Sequence, residues 1–155
     1  MAVQARAAPL ALSSDGQWRL HVDSDRVLHS VSVRDGRSAQ QFQLPLKART
    51  LSVSRSGRRV AFTSDSSCVG LVDFGAGVAA KPTLRWLPSA AAVDQDRNAD
   101  APDLKVPGLP ADHECGGQLY SMRREMALSD DGRWLATADQ VLDVDTQRVI
   151  ATLNI

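Results

Sequence analysis

A chain of 155 residues with 18 basic and 18 acidic side chains carries no net charge, and 43% of it is hydrophobic with only 5% aromatic. This is the size of one ordinary domain, and the charge balance excludes a strongly basic nucleic-acid binder or a polyacidic tail. No run approaches the roughly 18 apolar residues that a membrane-spanning helix needs.

The charges are uneven in kind, with 16 Asp against 2 Glu and 15 Arg against 3 Lys. Glu and Lys support helices whereas Asp favours caps and turns, so strands joined by Asp, Gly and Ser turns are expected and the fold class is all-β. In chain order, residues 1–9 form an N-terminal arm. Its Ala5-Arg6-Ala7 has the small-residue form of an export cleavage site but no apolar segment before it. The expectation is a cytoplasmic chain as written, or a periplasmic or secreted one if a signal peptide has been removed.

After the arm, one pattern occurs three times: Leu10-Ala11-Leu12-Ser13-Ser14-Asp15-Gly16, Leu51-Ser52-Val53-Ser54-Arg55-Ser56-Gly57 and Met126-Ala127-Leu128-Ser129-Asp130-Asp131-Gly132. Alternating apolar positions describe a half-buried strand, and the closing glycine supplies the positive φ of a tight turn. Second strands follow at Trp18 to Val22, Val60 to Thr63 and Trp134 to Ala138, and third strands at Leu28 to Val33, Val69 to Phe74 and Val141 to Val144. Fourth strands are expected at Gln40 to Leu44, Thr83 to Leu87 and Val149 to Leu153. Each unit is therefore a four-stranded antiparallel meander of the size of one propeller blade: 10–46, 50–87 and 125–155. The glycines are 41 and then 75 residues apart, the second interval containing a loop insertion, 88–124, in which Pro88, Pro102, Pro107 and Pro110 block regular structure.

The residues Ser56-Gly57-Arg58-Arg59-Val60-Ala61-Phe62-Thr63-Ser64-Asp65 resemble the repeat of TolB-type propellers. The third unit, from Ala127 through Val141-Leu142-Asp143-Val144-Asp145-Thr146 to Leu153, is similar to bacterial YVTN and WD-type repeats. The turn proline of those families is replaced by Ser14, Arg55 and Asp130, and no Trp-Asp dipeptide closes a third strand. The resemblance implies partial β-propeller blades in a bacterial protein, and the TolB-type part alone implies an interaction protein of an envelope complex. Propellers close with about four to eight blades. Three blades imply a piece of a longer ring or a ring completed by other chains, the simplest being a homodimer with six blades. A β-sandwich built from the same meanders is the alternative fold.

In a meander, the loop between the second and third strands and the loop leaving the fourth open on the same rim. Cys68 and Cys115 are thereby brought to one rim of the second unit, and a disulfide between them would tether the insertion, contributing on the order of 3–4 kcal/mol. Two reduced thiols are the other reading, since their spacing matches no zinc or redox motif. Asp112-His113-Glu114-Cys115 is the densest set of reactive types in the chain. A metal reading would join His113, Cys115, Cys68 and Asp112, but a solvated loop accounts for the same residues and no metal is expected. His21 and His29 read as polar residues on a sheet face.

Nucleophilic catalysis has little support: there is no Gly-x-Ser-x-Gly elbow, and Ser13, Ser54 and Ser129 recur as turn residues. Asp pairs recur for the same reason, and Gly75-Ala76-Gly77 has neither the helix nor the lysine of a phosphate loop, so no catalytic residue or cofactor is expected. The basic pairs Arg58-Arg59 and Arg123-Arg124 lack the flanking aromatics of a nucleic-acid surface. Trp18 and Trp134 read as blade packing. Trp86, Asp112, His113, Tyr120 and Arg123 are the candidate contacts for a protein partner on the rim bearing the insertion. The favoured reading is a non-catalytic binding or scaffolding module. The alternative is part of a propeller enzyme, hydrolase- or lactonase-like, completed by other blades.

Overall fold

The computed structural model describes residues 9–64, 69–76, 80–87, 126–137 and 140–152, and every regular element among them is a strand. The first unit comprises β1 (Leu10–Leu12), β2 (Trp18–Val22), β3 (Val27–Ser32) and β4 (Ser38–Gln43). The second comprises β5 (Ala48–Val53), β6 (Arg59–Ser64), β7 (Val69–Asp73) and β8 (Thr83–Leu87). The third comprises β9 (Met126–Leu128), β10 (Trp134–Thr137), β11 (Gln140–Asp143) and β12 (Arg148–Thr152). Each forms its own four-stranded antiparallel sheet with neighbours in chain order. Such uncrossed meanders, whose first strands meet with β5 touching both β1 and β9, are propeller blades and not the crossed-over sheets of a sandwich.

The repeated turn explains the repeated sequence. Gly16, Gly57 and Gly132 have φ of +71°, +74° and +73°, the left-handed region in which an added Cβ is strained. In the first blade Ser13 Oγ donates to Asp15 Oδ1 at 2.6 Å and accepts from Trp18 N at 3.0 Å. The third repeats this with Ser129, Asp131 and Trp134 at 2.6 and 2.9 Å. In the second blade Ser56 replaces the aspartate and its Oγ lies 3.3 Å from Ser54 Oγ. The three serines are thus committed to holding hairpins.

Two seams carry the core. At the first, Leu20, Val22 and Leu28 of the first blade pack against Val60, Phe62 and Val72 of the second. At the other, Ala61, Leu71 and Leu87 meet Leu128, Leu135 and Leu142. The middle blade is therefore apolar on both faces, and every residue of β6 after Arg59 is buried. Fully burying a side chain such as Phe62 or Leu135 is worth about 1.5–3 kcal/mol. Polar groups stitch the second seam: Ser52 Oγ accepts from Leu128 N at 2.9 Å, and Arg55 N donates to Asp130 O at 2.9 Å.

Candidate functional site

The rim expected to bear recognition is defined by strand ends. β6 ends at Ser64 and β7 starts at Val69, while β8 ends at Leu87 and β9 starts at Met126. Antiparallel order places all four on one side of the blades, together with the turn between β2 and β3. Of the candidate contacts, Asp112, His113, Tyr120 and Arg123 lie outside the described residues, as do Cys68 and Cys115 and hence their expected pairing. Trp86 is 6% exposed, its ring set edge-on to Phe62 with centroids 5.7 Å apart. Its Nε1 has no hydrogen-bond partner among the described residues. Its ring therefore packs in the first seam.

At the β2–β3 end of this rim the structure assembles a cluster that sequence reasoning left as isolated polar residues. His21 and His29 are register partners on neighbouring strands, so their side chains share a face, and the rings stack at 4.8 Å with 13° between planes. His29 Nε2 lies 2.7 Å from Asp23 Oδ2, and Asp23 Oδ1 also accepts from the backbone of Asp25 and Val27, both at 2.9 Å. The His29 contact, followed by the Val27 amide, holds the Asp23 carboxyl below the usual carboxylate range. Burial, then the neighbouring His29, pushes the His21 ring below the usual imidazole range, and its buried Nδ1 has no partner among the described residues. The signal available was their pairing across a predicted hairpin.

On the opposite rim stands Arg59, one half of the basic pair noted in the sequence. It reaches across the second seam, donating from Nη1 to Gly132 O at 3.1 Å and from Nη2 to Asp145 Oδ1 at 2.8 Å, while Nε donates to Asp73 Oδ2 at 3.1 Å. Burial opposes its charge, but Asp145 and Asp73 outweigh that and raise the guanidinium pKa. Arg58 beside it is exposed. A shallow cavity of about 220 Å³ opens on this rim at the first seam, lined by Trp18, Gln40, Gly57 and Arg58 among others. Among the described residues no group of three or more His, Cys, Asp or Glu is arranged to hold a metal ion, and no helix is long and apolar enough to cross a membrane.

No family model and no curated protein matches the sequence. Solved structures do match it in shape. The beta-propeller domain of Cps50 (Swd1) from Myceliophteria thermophila superposes with a TM-score of 0.62 at 16% identity, over 96% of this chain and 41% of that one. U3-55K and the WD40 repeats of RRP9 each give 0.58 at 12% identity, over 99% of this chain and 40% of theirs. The likeness establishes WD40-type propeller blades as the fold. The chain spans about two fifths of the length of the solved propellers it matches.

Proposed function

We propose that the blades form a non-catalytic module that binds a protein partner through the rim on which residues 88–124 open, with Trp86, Asp112, His113, Tyr120 and Arg123 as its contacts. The observation that carries this reading is architectural. Two packed seams make a rigid platform, and the ends of β6, β7, β8 and β9 all open on one side of it. The hydroxyls that might have suggested a nucleophile are spent on turns, as shown by Ser13 and Ser129 bonding to Asp15 and Asp131. The likeness to WD40 propellers is compatible with such a role, and the bacterial TolB-type and YVTN kinship inferred from residues belongs to the same proposal.

A photoreactive side chain placed at Tyr120 tests it against one placed at Asp35, on the opposite rim. Partner adducts at position 120 and none at 35 are expected; adducts at 35 alone would overturn the reading. The pairing of Cys68 with Cys115 is part of this proposal. Two freely alkylated thiols in the native protein would remove it.

A further inference from the structure

Each seam is locked by one repeated contact. The residue two places after the turn glycine reaches from its blade onto the turn glycine of the next. Trp18 lies over Gly57, so closely that a Cβ there would come within 2.6 Å of Trp18 Cγ. Arg59 covers Gly132 in the same way, a Cβ there falling 2.7 Å from its Cδ. The third member of the series, Trp134, has no following blade among the described residues; it is half-buried, with Arg133 stacked 4.5 Å from its ring centroid. The first glycine has the complementary vacancy in the series: a Cβ on Gly16 would meet nothing within 4 Å.

The faces around these two ends are also halves of a seam. Register places Leu10 with His21 and Leu12 with Arg19 on the outer face of the first blade. Those positions correspond, in the second blade, to Leu51, Phe62, Val53 and Val60, the face that packs into the first seam. Leu10, Leu12 and Val33 there are 62%, 60% and 52% exposed. The outer face of the third blade carries Ala127, Ala136, Val141 and Ala151 in register. It corresponds to the small-residue face of Ser52, Ala61 and Leu71 that receives the third blade at the second seam.

We propose that these flanks bind each other in a second copy of this chain. Trp134 of one copy covers Gly16 of the other, and the small face of the third blade receives Leu10 and Leu12 of the partner copy's first blade. The contact is head-to-tail, and two such seams give a ring of six blades, within the range in which propellers close. Among the described residues Trp134 and Gly16 are both unmatched, and a second copy carries the complement of each.

The test is the solution mass of the 155-residue chain by light scattering across concentration, with Trp134→Ala and Gly16→Asn. Asn tolerates positive φ but places a side chain where the partner's Trp134 must lie. The expected wild-type mass is twice 16.7 kDa, and either variant should weaken the dimer at least tenfold while keeping its β-sheet circular dichroism. A mixture of Ala127→Cys and Leu12→Cys chains should form a disulfide joining positions 127 and 12 between copies, a readout that holds even if Trp134→Ala unfolds. A monomer at every concentration, a dimer indifferent to both variants, or failure of that cross-link would each overturn the proposal.

Discussion

Strands β6 and β12 carry similar stretches, Arg59-Val60-Ala61-Phe62-Thr63 and Arg148-Val149-Ile150-Ala151-Thr152, both Arg-Val at the start and Thr at the end, yet their surroundings are opposite. Every residue of β6 after Arg59 is buried, while all five residues of β12 are exposed. One is the second strand of a blade enclosed on both faces; the other is the outer strand of a flanking blade. Burial here follows position among the blades and not local hydropathy. The outer blades share a further mark: a register shift between β3 and β4 at Ser30/Val31 and between β11 and β12 at Val141/Leu142, where β7 and β8 pair without one.

The contrast is broken most severely by truncating matched side chains. Phe62→Ala should cost about 3–5 kcal/mol in chemical denaturation, because it empties the centre of a seam and removes the edge contact with Trp86. Val149→Ala, at 46% exposure, should change stability by no more than about 0.5 kcal/mol. Equal losses would mean that β12 is as enclosed as β6.

A smaller effect separates the turn glycines. Gly16→Ala should cost about 1–2 kcal/mol, the strain of a Cβ at positive φ. Gly57→Ala carries the same strain and in addition drives into Trp18, so its thermal midpoint should fall further. Next, Arg59→Gln should lose about 1.5–3 kcal/mol through its bonds across the second seam. By contrast Arg133→Gln, whose side chain is 55% exposed 3.5 Å from Asp143, should lose no more than about 1 kcal/mol. Similar losses for the two arginines would contradict the latch.

The mildest difference is in acid. The Ser13 hydroxyl holds the Asp15 carboxyl below the usual carboxylate range, and Ser129 does the same for Asp131. Depressed carboxylates contribute stability that is present above their unfolded pKa, about 4, and lost as pH falls through the folded value. The second blade has Ser56 at this position and contributes no such dependence. Asp15→Ser with Asp131→Ser should therefore flatten the fall in stability below about pH 4; an unchanged acid profile would show that other groups govern it. His21, held below the usual imidazole range, acts in the same direction, favouring the folded chain above about pH 6.5 and less as pH falls.

These residues also show what sequence could reveal. The three turn motifs, their serines and the four strands of each unit were legible because each rests on local chemistry: alternation, a hydroxyl, a glycine. Strand edges shifted by a few residues, β5 starting at Ala48 and β4 at Ser38, where pairing partners and not propensity decide. Trp86 was legible as a residue beside the insertion, whereas its edge-on contact with Phe62 follows from its pairing with Gly70 on the neighbouring strand, which the local pattern does not show. Arg58 and Arg59 looked alike; only the alternation of faces sends Arg59 to Gly132 and Asp145. Contacts between blades join residues far apart in the chain, Trp18 with Gly57 at the first seam and Arg59 with Gly132 and Asp145 at the second, and no short-range pattern encodes them.

Amide hydrogen exchange followed by mass spectrometry tests the central claim most directly, that the blades are organised around an enclosed middle one. β6, hydrogen-bonded on both sides and covered on both faces, should exchange slowest of all strands, and β12, an edge strand, among the fastest. Equal protection of these two similar peptides would contradict the account.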